Sequence, residues 1–153
     1  MDVLDGEIKR SKRTGREFSL LLLDLDGLKQ INDCYGHLTG NQALCRLADA
    51  LSICCRNTDT PARFGGDEFA LVLPETGTQA ADLVAQRICA QLANDCRAPK
   101  LSVSVGIASY PDHAEQIDTL LSAADAAMYL TKGQRQESAL TSPIISQHVR
   151  IGR

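Results

Sequence analysis

Ser19 to Leu23 is an unbroken apolar run that stops abruptly at Asp24. A run this short without polar alternation reads as a buried central strand. It is also far too short to cross a bilayer. Helical patterns surround it. Leu28 to Tyr35 reads as a short helix, and Asn41 to Cys55 sets Leu44, Leu47, Ala48 and Leu51 on one face at i, i+3, i+4 and i+7. Thr78 to Ala93 does the same with Ala81, Val84, Ala85, Ile88 and Leu92. The last amphipathic helix carries Ile117, Leu120, Leu121, Ala124 and Met128.

Two more strand signals complete the pattern. Ala62-Arg63-Phe64 leads into Gly65-Gly66, after which Phe69, Leu71 and Leu73 alternate with Ala70 and Val72 until Pro74. A glycine pair there suits a tight hairpin with positive backbone φ. Leu101 to Ile107 alternates Val103, Val105 and Ile107 with Ser102, Ser104 and Gly106, which predicts a half-buried strand. The expected order is β-α-α-β-β-α-β-α. That implies an α+β sandwich of the ferredoxin-like class, a central, mostly antiparallel sheet with flanking helices. Met1 to Arg16 is polar, with too little apolar content to define more than the end of a helix. From about Gly133 the periodicity fades and Ser, Thr, Gln and Pro143 appear, so residues 134–153 read as a tail or linker after a domain at 1–133. The tyrosines and Phe69 read as core.

Bulk properties narrow the classes. A chain of 153 residues fits one domain with a real core. Its formal charge of −3 gives no basic face for nucleic acid, so no nucleic-acid partner is expected. The six cysteines, Cys34, Cys45, Cys54, Cys55, Cys89 and Cys96, show no C-x-x-C spacing and several sit among apolar residues. With no signal peptide visible, they read as reduced thiols of a cytoplasmic domain rather than disulfides or a zinc site.

Acids gather at Asp24-Leu25-Asp26, where the central strand ends, and at Asp67-Glu68, at the tip of the hairpin. If the hairpin pairs beside that strand, three or four carboxylates meet within a few ångströms and repel unless protons or cations intervene. Clustered oxygen donors suit Mg²⁺ and two-metal phosphoryl transfer. From the residues alone, ordinary turn and strand-end acids account for them equally well. An EF-hand is excluded, because the loop spacing and terminal Glu are missing.

Arg63-Phe64-Gly65-Gly66-Asp67-Glu68-Phe69 resembles the signature of the GGDEF family of diguanylate cyclases. Asp24-Leu25-Asp26-Gly27-Leu28-Lys29-Gln30-Ile31-Asn32-Asp33-Cys34-Tyr35-Gly36-His37 resembles that family's first block. Ser104 to Ala108 is similar to its late strand, and Ala124 to Tyr129 to its last helix. The resemblance runs from about Phe18 to Lys132. It implies a nucleotide-cyclase-like fold and the condensation of two GTP into cyclic di-GMP, with two Mg²⁺ or Mn²⁺ per active site. A homodimer is implied for catalysis, within a larger multidomain signalling protein, and membrane tethering of the full-length protein stays open. By position, Asp24, the Leu25 carbonyl, Asp67 and Glu68 would be metal ligands, with Asp67 also the catalytic proton acceptor. Gly65 and Gly66 would admit the α-phosphate, while Gly27, Leu28, Lys29 and Lys132 would hold the outer phosphates. Asn32, His37 and Asn41 fall at substrate-site positions. Arg56-Asn57-Thr58-Asp59 stands at the family's RxxD spacing, so Arg56 and Asp59, supported by Arg87, would bind the product as an inhibitor. Bland alternatives stand beside these: a helix-turn role for Asn32, a structural hydrogen bond for His37, solvated surface positions for Lys29 and Lys132, and a surface ion pair for Arg56 and Asp59.

The departures are specific. Asn41 stands where the family has a guanine-contacting Asp, Leu28 replaces a frequent Phe, and Lys132-Gly133-Gln134-Arg135-Gln136 alters the usual ending. The family's opening turn is missing, so the chain reads as starting inside its first helix, an excised domain or a divergent end. These changes imply weakened activity. They keep open a degenerate module that binds GTP or cyclic di-GMP as a regulatory receptor, or an interaction domain that binds no nucleotide.

Overall fold

The protein is described from a computed structural model covering the backbone of residues 2–141 and the side chains of residues 2–134. In chain order the elements are α1 (Asp2–Thr14), β1 (Phe18–Leu25), α2 (Leu28–Tyr35), α3 (His37–Cys54), β2 (Thr60–Arg63), β3 (Glu68–Pro74), α4 (Thr78–Ala93), β4 (Val103–Tyr110) and α5 (Ile117–Thr141). The sheet order is β2-β3-β1-β4, and every neighbouring pair is antiparallel. The apolar run therefore does form a central strand, and all of β1 is buried.

Side-chain alternation sorts β1 between two cores. Leu21, Leu23 and Leu25 join Leu47, Leu51, Ile88 and Leu92 beneath α3 and α4. Phe18, Leu20 and Leu22 face the other way, packing with Leu120, Ala124 and Met128 of α5 and Leu4 of α1. Asp24 continues this second series, which aims it at α5. The fold thus delivers a carboxylate to the end of a fully covered strand.

Several expectations change. The polar opening forms a whole helix: Leu4 and Ile8 give it a narrow apolar stripe, and Asp2 and Asp5 at its start with Lys12 and Arg13 at its end complement the helix dipole. α3 begins at His37, four residues before the expected start at Asn41. β4 is covered on both sides, because Ser104, Gly106 and Ala108 are buried against α5 while Val105 and Ile107 are only half-buried. Small residues there mark close approach rather than solvent. A methyl group on Gly106 would stand 2.0 Å from the Ala124 carbonyl oxygen and 2.3 Å from the Met128 nitrogen.

α5 continues to Thr141, so the first part of the expected tail is helical; the rest, 142–153, lies outside the described residues. Phe69 and Tyr110 are core, but Tyr35 and Tyr129 are 61% and 76% exposed, outside the apolar stripes of their helices. None of the six cysteines is in a disulfide, and Cys34, Cys45 and Cys96 are exposed. No helix among the described residues is long and apolar enough to cross a membrane.

Candidate active site

The hairpin between β2 and β3 pairs beside β1, and its register sets Glu68 directly opposite Asp24. Ser104 of β4 flanks Asp24 on the other side. One step beyond the ladder, the Leu25 amide donates to the Asp67 carbonyl at 3.1 Å, which ties the bend to the end of β1. The expected meeting of the strand-end and hairpin acids is therefore built by main-chain pairing.

The bend is wider than a two-residue turn. The Phe64 and Gly65 amides both donate to the Glu68 carbonyl, at 2.8 and 3.1 Å. Positive φ among the glycines occurs at Gly15, Gly27 and Gly36, so the Gly65-Gly66 pair lacks the left-handed backbone expected of it. What it supplies is space: a methyl group on Gly65 would come within 2.8 Å of Glu68 Oε2. Arg63 staples the bend, donating from Nε to the Gly65 carbonyl at 3.2 Å and from Nη2 to the Gly66 carbonyl at 2.6 Å. Sequence reasoning gave Arg63 no task. An arginine just before a glycine pair, with unpaired carbonyls within reach, was the available signal.

The acids do not all converge. Asp26 turns toward β4, where Ser102 Oγ and Ser104 Oγ donate to it at 2.7 and 2.6 Å. Asp24, 6% exposed, accepts from Lys132 Nζ at 3.0 Å across 108 positions of sequence. Among the described residues no group of three carboxylate, imidazole or thiol side chains stands ready to enclose an ion. Strand register sets Asp24 opposite Glu68, with Asp67 beside them in the bend. Two serine hydroxyls hold Asp26, however, and Lys132 holds Asp24, so the expected convergence of three or four carboxylates on one point is not formed among the described residues. Burial raises the Asp24 carboxyl above its usual range, and Asp67 and Asp26 push the same way, against the opposing pull of Lys132. The Lys132 ammonium is raised in turn by its hydrogen bond to Asp24.

Gly27 has φ +70° and turns the chain from β1 into α2, whose first residues are Leu28, half-buried, and Lys29, exposed. The free amides of that helix start lie immediately after the acidic strand end. Asn32 is half-buried where α2 meets α3, so close that a methyl group on Gly40 would overlap its Oδ1 at 1.8 Å. His37 is the exposed first residue of α3. Asn41, also exposed, lies one turn on and lines a groove of about 580 Å³ with Leu44, Ala48, Arg63 and Phe69.

Arg56 and Asp59 occupy the α3–β2 loop, closed on itself by Arg56 N donating to Asp59 Oδ2 at 2.7 Å and Asp59 N to the Arg56 carbonyl at 3.0 Å. From α4, Arg87 Nη2 donates to the Cys54 carbonyl at 3.1 Å, at the C-terminus of α3. The three residues therefore stand together, at the opposite end of α3 from His37. Burial pushes the neighbouring Cys55 thiol up to about 11.

Known proteins place this arrangement. The profile described as "Diguanylate cyclase, GGDEF domain" matches residues 2–138. The chain is 37% identical over 137 residues to the bifunctional diguanylate cyclase/cyclic di-GMP phosphodiesterase MucR of Pseudomonas aeruginosa, covering 87% of this chain and 20% of MucR. It is 38% identical over 129 residues to diguanylate cyclase DgcM of Escherichia coli, covering 83% of this chain and 31% of DgcM. It also matches the cyclic di-GMP phosphodiesterase PdeR of Escherichia coli, at 34% identity over 97% of this chain and 23% of PdeR. The chain thus spans under a third of each of these relatives. Among solved structures, the GGDEF domain of TpbB (YfiN) from Pseudomonas aeruginosa superposes with a TM-score of 0.81 at 34% identity, covering 87% of this chain and 81% of that one. The GGDEF domain of DgcB from Caulobacter crescentus, solved in complex with c-di-GMP, gives 0.78 at 27% identity, covering 87% and 82%. With its four-stranded antiparallel sheet, its glycine-rich bend beside the acidic end of β1 and a match running through nearly all the described residues, the chain belongs to the GGDEF domain family of diguanylate cyclases.

Proposed function

We propose that this domain condenses two GTP into cyclic di-GMP and two pyrophosphates. Two copies face each other, each holding one GTP, so that each ribose 3′-oxygen bonds to the other's α-phosphorus as the bond to pyrophosphate breaks. The observation that carries this reading is the juxtaposition at the end of β1. There Asp24 and Glu68 face each other across the ladder, with Asp67 in the adjoining bend. Asp67 takes the proton of the 3′-hydroxyl. Gly65 and Gly66 leave the α-phosphate room to approach the backbone, while the amides at Gly27 and Leu28, with Lys29 and Lys132, hold the β- and γ-phosphates.

Two Mg²⁺ or Mn²⁺ would sit on Asp24, the Leu25 carbonyl, Asp67 and Glu68. The donors fit, being hard oxygens on a strand end, and the residues already hold a cation there, the Lys132 ammonium on Asp24. Such ions ease ionisation of a hydroxyl and offset charge on departing pyrophosphate. Asn32, His37 and Asn41 meet the nucleoside, with the groove beside Asn41 receiving the base. An amide at position 41 accepts one guanine N–H without charge assistance, a loss of roughly 1 kcal/mol or more, and weakens turnover accordingly. The closed Arg56–Asp59 turn with Arg87 suits the product, since Arg matches guanine O6/N7 or a phosphate and Asp accepts from guanine N–H groups.

Incubation with GTP and Mg²⁺ is expected to release pyrophosphate and form cyclic di-GMP, at a rate that rises with protein concentration. The similarity to PdeR, a phosphodiesterase by name, favours a second reading in which the domain is a regulatory receptor. GTP binding without pyrophosphate release selects that reading. Arg56→Ala is expected to weaken cyclic di-GMP binding about tenfold in calorimetry, the loss of one charge-assisted contact; unchanged binding removes the inhibitory site.

A further inference from the structure

The Lys132–Asp24 pair joins two groups assigned to different partners, the carboxylate to a metal and the ammonium to phosphate. In the structure they hold each other at 3.0 Å. The two sides are unequal. The Asp24 side chain is 8% exposed and fixed at the end of a central strand, whereas the Lys132 side chain is 40% exposed on a flexible four-carbon stem. Its helix is anchored beside it, with Thr131 Oγ1 donating to the Val105 carbonyl of β4 at 3.1 Å. Only the lysine head is free to swing away. Among the described residues the acids also do not form a three-ligand group by themselves, so further donors must come from elsewhere. The phosphates of a nucleotide supply both needs at once. They give the ammonium a new anion and complete the oxygen set.

We infer that Lys132 is a resident counter-cation of the acidic site, seated on Asp24 until a nucleotide's phosphates draw it off, so that divalent metal enters with the nucleotide and not ahead of it. This rests on the reading of Asp24 as a metal ligand. Asp67 and Asp26 lie close enough to disfavour a charged Asp24, and a cation seated on it relieves that repulsion. Lys132 is that cation between turnovers, and the exchange couples the two ligands.

The test is Mn²⁺ binding to the whole chain, followed by loss of the free Mn²⁺ paramagnetic resonance signal, with and without a non-hydrolysable GTP analogue. Wild-type protein is expected to bind Mn²⁺ weakly alone and far more tightly with the analogue. Lys132→Gln is expected to bind Mn²⁺ alone about tenfold more tightly than wild type, a change of about 1.4 kcal/mol, while its affinity for the analogue falls. Lys132→Arg, which keeps the charge, is expected to stay near wild type in Mn²⁺ binding alone. A merely structural lysine gives the opposite sign for Lys132→Gln. Unchanged or weaker Mn²⁺ binding by that variant overturns the inference. Asp24→Asn separates this failure from that of the site itself: if it binds Mn²⁺ and analogue as wild type does, the metal reading of Asp24 falls, and the counter-cation role with it.

Discussion

Asp67→Ala is expected to lower pyrophosphate release from GTP by about 10³-fold, within the range for loss of a positioned proton acceptor, while the far-ultraviolet circular dichroism and the melting transition stay near wild type. The separation of effects follows from which atoms of Asp67 do what. Its backbone carbonyl receives the Leu25 amide and holds the bend to β1, and alanine keeps that carbonyl. The neighbouring pairing, Phe64 and Gly65 onto Glu68 and Arg63 onto the glycine carbonyls, does not involve the Asp67 carboxylate either. What alanine removes is one half-buried negative charge next to two others, which should relieve repulsion on Asp24 rather than add strain. Turnover within tenfold of wild type, in a folded variant, would take Asp67 out of the chemistry.

Gly106→Val is expected to cost about 3 kcal/mol or more of stability, at the upper end for overpacking, read as a lower denaturant midpoint. The new side chain would meet the Ala124 carbonyl, the Met128 nitrogen and Met128 Cβ at 2.0, 2.3 and 2.7 Å. Two of these are helix backbone and cannot rotate away, so α5 as a whole must move off the sheet. Gly133→Ala is the contrast. Nothing lies within 4 Å of its added methyl group, and a helical Ala is favoured over Gly by about 1 kcal/mol. A Gly106→Val protein as stable as wild type would mean that α5 does not lie this close to β4.

The same glycine shows where reading the sequence succeeds and where it stops. α2 and α4 have the bounds the periodicity gave, and the five residues placed on the inner face of α4 are its buried ones, because long apolar side chains at helical spacing leave little choice. The alternation of Ser102, Ser104 and Gly106 with Val103, Val105 and Ile107 predicts only a half-buried strand, whereas Ser104 and Gly106 are buried. A pattern of small residues is the same whether water or a closely packed helix lies above it; only the partner decides. α1 was underestimated because two apolar side chains suffice for a helix that covers only the edge of a core. α5 outruns its apolar stripe because Gln134, Arg135, Gln136 and Glu137 are good helix formers with no breaker among them. At the site, the carboxylates were legible as residue types and the family motif put them in order. That Asp24 faces Glu68, that Asp26 turns to two serines, and that a lysine from the far end of the chain sits on Asp24 follow from strand register and helix packing, which no local stretch records.

α1 meets the rest of the molecule through Leu4, partly through Ile8, and through charge. Arg10 Nη2 lies 3.0 Å from Glu75 Oε1, and Arg16 pairs with the same carboxylate. Glu75 itself holds a left-handed backbone, φ 51°, at the corner after β3, an uncommon posture for a residue with a side chain. One acid therefore ties α1, through Arg10, and the turn after it, through Arg16, to the corner after β3 in open water, where added salt screens both pairs. Added salt is expected to weaken the attachment of α1, read as faster amide exchange in Asp2–Thr14 than in the sheet.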